Sequence, residues 1–228
     1  MIELMLCSLL FVGTHLGIAG TPLRRFIVAG VGEGFYLLLY AAISLVTISW
    51  MVDAYKVAPY VETWGQLYWL QPVALVLVLL AFLLVVIGLT TPSPTLVGSE
   101  GLLDKPGAVR GILRVTRHPF LMGVALWALT HLVVNGDLAG LILFGSLLVL
   151  CMAGAYSIDA KRRDKLGEKW SEFAVRTSVL PFAAILQKRN RLVVGELGWW
   201  RILLALTGFG AMLYLHAMLF GVSPVAAF

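Results

Sequence analysis

Six apolar runs decide what this chain can fold into. They cover approximately residues 3–20, 35–52, 68–90, 118–134, 138–158 and 200–221. Each is about 18 to 24 residues long, the length at which an α-helix crosses roughly 30 Å of hydrocarbon. In lipid the backbone must satisfy its own hydrogen bonds, which a helix does within one segment. Composition agrees: 60% of residues are hydrophobic, 13% are charged, and mean hydropathy is +0.93. A water-soluble domain of 228 residues cannot bury that much apolar surface. The expected fold class is all-α: a polytopic membrane helix bundle with about six transmembrane helices and a cytoplasmic interfacial helix. One domain is expected over residues 1–228. The first run is read as a retained helix, because no Lys or Arg precedes it and no A-x-A site follows it.

The basic residues orient the bundle. With the N-terminus outside, the inner segments hold Arg24 and Arg25, then Lys105, Arg110, Arg114 and Arg117, then ten more from Lys161 to Arg201. Sixteen of the seventeen Lys and Arg residues fall inside, and only Lys56 is left out. The positive-inside rule then places both termini on the external face, which in a bacterial inner (plasma) membrane is the periplasm. The net charge of +5 reflects these loops meeting anionic lipid and is not a nucleic-acid footprint.

The loops differ in character. "NGD" at 135–137 is turn chemistry, so spans 4 and 5 should form an antiparallel hairpin. "TPSPTLVGSEGLLDKPGAVRGILRVTR" opens as Pro-punctuated coil and is expected to turn helical from Gly107, feeding straight into span 4. In "DAKRRDKLGEKWSEFAVRTSVLPFAAILQKRNR", Leu166, Trp170, Phe173 and Ala174 recur at helical spacing opposite the charges. That pattern describes an interfacial helix ended by Pro181, with "PFAAIL" dipping back into the interface. Cys7 and Cys151 lie in spans 1 and 5 at opposite depths, as small buried hydrophobes rather than a disulfide. No C-x-x-C-H occurs, which excludes the usual covalent haem attachment but leaves non-covalent haem open.

Ionisable groups inside a membrane are expensive and mark candidate sites. His15 lies in the inner part of span 1 and His118 opens span 4 at the inner face. His131 is in the outer third of span 4 and His216 in the outer third of span 6. His118 and His131 are thirteen residues apart, hence about 20 Å along the axis and roughly 140° around it, so they serve separate sites. For each, the plain alternative is a packing histidine with an interhelical hydrogen bond, and that reading is preferred for His216. For His118 it is a helix start with Pro119 at the first position. Several imidazoles without a carboxylate-rich site suit iron in haem better than Mg or Ca. Arg24, Arg114 and Arg117 could then hold the propionates.

A second constellation lies on the inner rim. Arg117 and His118 approach from "RHPFLMG", and Asp159, Arg162 and Arg163 from the end of span 5. Together they could grip an anionic or amphipathic substrate through bidentate arginine contacts. The plain alternative is a charged juxtamembrane face.

"FVGTHLG", "GEGFYLLLYAAISL", "RVTRHPFLMGVALWALTHLVVNGD" and "DAKRRDKLGEKWSEFAVRTSVLPFAAIL" together span most of the chain. They resemble the NnrU family, bacterial multi-pass membrane proteins linked to nitrite and nitric oxide reductase, and the related plant zeta-carotene isomerases. That resemblance implies a haem b, ligated by histidine and used to isomerise a cis double bond in a lipid-soluble polyene. Carried over, His15 and His131 are the positions that ligate the haem iron. Ala128 stands where the plant isomerases carry a cysteine, three residues before the second histidine. The depths read from the spans pair His15 more readily with His118, so both pairings stand as expectations. Implied partners are the lipid bilayer, a lipid-soluble small molecule and denitrification proteins.

The chain is also similar, more distantly, to the isoprenylcysteine-methyltransferase group of membrane enzymes, which use S-adenosylmethionine. Their pattern is R-H-P-x-Y-x-G followed by a glutamate pair. Here Leu121 replaces the tyrosine and Ile158–Asp159 replaces the pair. A methyltransferase is thus one alternative, and a non-catalytic assembly or regulatory partner of denitrification enzymes another.

Overall fold

The computed structural model describes residues 1–96, 98–104 and 107–225; Lys105, one of the inner-loop cations, lies outside the described residues. The helices are α1 (Ile2–Gly13, continued as a π-helix over Thr14–Ala19), α2 (Leu23–Val31), α3 (Glu33–Lys56), α4 (Gln71–Thr90) and α5 (Pro119–Asn135). They are followed by α6 (Leu138–Leu166), α7 (Glu168–Arg176), α8 (Ala183–Leu186) and α9 (Trp199–Phe220). Among the described residues five segments are long and apolar enough to cross a membrane; α5 is a shorter apolar helix of 17 residues. At 1.5 Å per residue α5 is about 25 Å long, just short of the hydrocarbon thickness. The chain is an all-α, multi-pass membrane protein, as its composition predicts.

The helices stand in an open row. α9 packs on α4, α4 on α5, α5 on α6, α6 on α1, and α1 on α3. Exposed Leu, Val and Phe side chains on α1, α3, α4 and α9 form the lipid-facing surface, which needs no protein partner in a bilayer. Close approach of α4 and α5 rests on small residues. A Cβ on Gly123 would meet Val85 and the Ala81 carbonyl at 2.7 and 2.9 Å, and one on Gly88 would meet Pro119 and Phe120 at 2.9 Å. One apolar cluster joins α1, α3, α5 and α6 through Leu4, Cys7, Phe11, Met51, Ala128 and Phe144. Cys7 and Cys151 are both buried free thiols.

The expected hairpin is present. Asn135 ends α5, Gly136 takes a left-handed turn (φ 61°), and the Asp137 carboxylate caps α6 by accepting from the Gly140 amide at 2.8 Å. The outer loop closes over it: Thr63 and Gly65 amides donate to the Gly136 carbonyl at 2.9 and 3.0 Å, and Trp64 Nε1 donates to Val133.

The inner loop departs from expectation. Residues from Gly107 onward do not form a helix running into α5. Gly111 sits at φ 55°, a single 3-10 turn covers Gly111–Arg114, and His118 is non-helical before Pro119 starts α5. Proline disfavours a helical residue before it. The chain is also tied sideways: Arg117 N–H donates to Ser178 O, Phe182 N–H to Val115 O, and Thr116 Oγ1–H to Val179 O.

The helix expected at the interface is α7, separated from α6 at Gly167 and ended at Thr177 rather than Pro181. Its Trp170 and Phe173 are buried against Val109, with Leu103 and Ala108 alongside. The apolar stripe thus faces the protein's own inner loop and not lipid. Periodicity alone describes an interfacial helix and does not name Val109 as the cover of this face.

Gly136 tests the outer closure. A Cβ there would lie 1.9 Å from the Gly65 carbonyl, on a backbone with positive φ. Gly136→Ala is expected to lower the melting temperature of the detergent-solubilised protein, by roughly 1–3 kcal/mol in stability. Gly210→Ala, which meets nothing within 4 Å, should leave it unchanged or raise it.

Candidate functional site

Two groups of polar side chains stand out, one on the inner rim and one inside the bundle. On the rim, Asp159 near the end of α6 is 5% exposed and accepts from two sides. His118 Nε2 donates to its Oδ1 at 2.7 Å, and Arg117 Nε donates to its Oδ2 at 2.8 Å. Arg117 also donates to Ala174 O and Thr177 Oγ1, which ties α7 into the same network. His118 is 3% exposed. The spacing brings Arg117, His118 and Asp159 together as expected, but they grip one another rather than face outward.

The neighbouring cations are engaged in the same way. Arg114 makes a two-pronged pair with Glu196, Nε to Oε2 at 2.7 Å and Nη2 to Oε1 at 2.9 Å, while the Gly111 amide adds a third bond to that carboxylate. Those donors, Arg114 first, hold the Glu196 carboxyl down at about 2. Arg162, 8% exposed, binds Glu100 and the Leu96 carbonyl. Glu100 is likewise lowered to about 2, by its own backbone amide and then by Arg162 and Lys165. Arg163 is exposed and stands outside this network. Glu196 and Glu100 were not among the sequence candidates. Glu196 is an isolated carboxylate in a basic stretch, which was an available signal; Glu100, with Asp104 four residues on and no nearby Lys or Arg before Lys105, carried none.

Inside the bundle, His15 and His131 share one geometry. His15 Nδ1 donates to the Phe11 carbonyl four residues back at 2.7 Å, and His131 Nδ1 donates to the Trp127 carbonyl, also four back, at 2.9 Å. A carbonyl only accepts, so in each ring the proton sits on Nδ1 and Nε2 carries a lone pair. Among the described residues neither Nε2 has a hydrogen-bond partner. Both rings border the same apolar cluster: His15 is 4.4 Å from Phe11 and His131 5.1 Å from Phe144, centroid to centroid. His15 also falls in the π-helical stretch Thr14–Ala19, a winding concentrated at functional sites. Tyr40 meets it edge-on at 5.1 Å and stacks on Tyr36. Tyr36 and Tyr40, four apart in "FYLLLY", were legible as one helix face but not as partners of His15.

The remaining histidines do other work. His118 has its Nε2 on Asp159, which withdraws it from the pairing with His15 that depth alone suggested. His216 Nδ1 bonds the Val222 carbonyl just beyond the end of its own helix, α9, a local contact in place of the interhelical hydrogen bond expected of it. No three His, Cys, Asp or Glu side chains converge on a bare metal ion among the described residues. A porphyrin supplies four iron ligands itself and asks the protein for only one or two. The His15 and His131 rings, each with its tautomer fixed by a backbone carbonyl, each keep an Nε2 lone pair of the kind such a ligand needs.

A multi-pass helical membrane protein with an ion-paired rim and histidines within its spans is the class that fold and site define. The family described as NnrU protein matches residues 3–224, and the chain belongs to it. It is 30% identical over 195 residues to the 15-cis-zeta-carotene isomerase of Zea mays chloroplasts, covering 84% of this chain and 52% of that protein. The corresponding Arabidopsis thaliana isomerase is 35% identical over 82 residues, 36% of this chain and 22% of its own. The chain thus spans about half the length, or less, of these curated relatives. No solved structure matches it.

Two measurements probe the rim. Asp159→Ala would leave Arg117 and His118 buried against each other, so stability should fall by roughly 3–5 kcal/mol, read as a lower melting temperature in detergent. For Glu196 the sign follows from its depressed pKa: the stabilisation is complete above its ordinary 4.5 and is lost as pH falls towards about 2. Glu196→Gln should therefore flatten melting temperature against pH across that acid window. A variant profile parallel to the wild type would count against the Arg114 pairing.

Proposed function

We propose that this protein holds a haem b through His15 and His131 and acts as an isomerase-like redox enzyme on a lipid-soluble cis-polyene. The observation that carries the reading is the matched pair of Nδ1-to-carbonyl bonds, which present two Nε2 lone pairs at the border of one apolar cluster. The name of the maize relative supports the reaction class. When bound, the haem supplies an iron centre whose charge and ligation change with redox state. The chain's own residues orient the ligand rings and keep water out. Phe11 and Tyr40 flank His15, while Trp127 and Phe144 flank His131. A substrate soluble in lipid needs no aqueous channel, and the open row of helices leaves long apolar faces towards the bilayer.

Ala128, where the plant isomerases have a cysteine, is fully buried among Leu4, Cys7 and Phe11. No thiol is attached to α5 at that point, so the proposal uses histidine ligands alone. The methyltransferase alternative asks Asp159 to hold S-adenosylmethionine, but both oxygens of that carboxylate already accept charged or imidazole donors. Nitrogen-oxide metabolism in a bacterial inner membrane, beside denitrification enzymes, is the physiological setting we infer from the family likeness.

The absorption spectrum of protein expressed with ample haem tests the reading. A Soret band is expected in the wild type, with loss or a shift to lower coordination in both His15→Ala and His131→Ala. A wild type without a Soret band, or a band unchanged in both variants, would overturn it.

A further inference from the structure

Two observations at the inner half of α1 and α3 are not used by the histidine pair. Tyr36 is 5% exposed, and its buried hydroxyl has no hydrogen-bond partner among the described residues. Buried polar groups in native proteins are almost always paired, so a lone one calls for an explanation. Beside it, two cations come together. The Arg24 guanidinium lies over the Tyr36 ring at 5.3 Å, and Lys161 of α6 reaches the main chain at Ala19, five residues before Arg24. Glu33 pairs with Arg24 at 2.7 Å and answers one of them. Lys161 turns to the Ala19 carbonyl, an uncharged acceptor at the end of the π-helix. One positive charge is left over. The Tyr36 ring stacks on Tyr40 at 5.8 Å, and Tyr40 meets His15 at 5.1 Å, so an aromatic ladder leads from the histidine to the cations.

We propose that Arg24, Lys161 and Tyr36 form an oxyanion subsite for the carboxylate or phosphate of an amphipathic ligand whose apolar part lies along Tyr40 and His15. Each donor has a distinct part. Arginine offers a planar fork, lysine a mobile point charge, and the tyrosine O–H a neutral donor in a dry setting. The sequence offered Arg24, Arg114 and Arg117 as equivalent anion holders. Arg114 and Arg117 are held in the more buried pairs with Glu196 and Asp159, whereas the Arg24–Glu33 pair is the more exposed one, and of the three only Arg24 stands on the His15 side. A carboxylate would come from the haem of the proposed function and so rests on that reading; a phosphate would come from an anionic phospholipid and does not.

The test uses the full-length protein in detergent, titrated with haem b and with its dimethyl ester, which lacks free carboxylates. Phosphatidylglycerol retention is measured in parallel by native mass spectrometry. If the anion is the haem carboxylate, the Arg24→Gln/Lys161→Gln double variant should bind haem weaker by about tenfold for each cation removed. The wild type should then bind the dimethyl ester as weakly as the double variant binds haem. If it is lipid phosphate, the haem titrations should coincide and phosphatidylglycerol retention should fall by about tenfold or more in the double variant. Tyr36→Phe should weaken the same signal while leaving or raising the melting temperature, because it removes an unpaired buried hydroxyl. Wild-type haem affinity together with wild-type phosphatidylglycerol retention in the double variant would overturn the subsite. A wild type that takes up no haem would overturn the haem reading alone, and the phosphatidylglycerol measurement would then decide the subsite.

Discussion

The inner half of this protein hangs on one buried carboxylate. Asp159 receives His118 and Arg117 from the start of α5, and Arg117 reaches on to the end of α7. Three segments distant in sequence are thereby fixed at one point near the membrane surface. Burying an ion there is favourable only because both oxygens are paired and Arg117 has further acceptors. The place where α5 begins, and so where it presents His131 fourteen residues after Arg117, follows from that clamp and from Pro119.

Around it, two other inner cations neutralise carboxylates from far along the chain: Arg114 with Glu196 and Arg162 with Glu100. These pairs sew the inner loops to the helix ends. The rim is therefore a fastening, and the chemistry we propose lies deeper, where the imidazoles face apolar and aromatic neighbours. Rigid fastening and an apolar interior suit a cofactor whose ligands must be held within tight tolerance.

Much of the architecture was legible from the residues because membrane crossing imposes a coarse rule on composition. The spans, the "NGD" hairpin and the meeting of "RHP" with Asp159 all follow from local pattern. What was not legible depends on distant partners. Periodicity showed that α7 has an apolar face, but only the fold shows that Val109 covers it. Glu196 lies 82 residues from Arg114, and nothing local ties the two. The helix expected from Gly107 gave way to a 3-10 turn because hydrogen bonds to residues 178–182 outcompete local helix propensity. The tautomers of His15 and His131 needed coordinates as well, since spacing alone cannot say which carbonyl a ring nitrogen meets.

The π-helical end of α1 has a consequence of another kind. Wider winding takes carbonyls out of the regular ladder, and polar side chains collect them: Thr21 Oγ1 takes that of Gly17, and Lys161 that of Ala19. The link between α1 and α6 at this depth is therefore made by main chain on one side. Position 19 can drift among small residues without breaking it, whereas losing one residue from the winding would remove it. A comparison of side chains alone would pass over the contact; a comparison of segment lengths would find it.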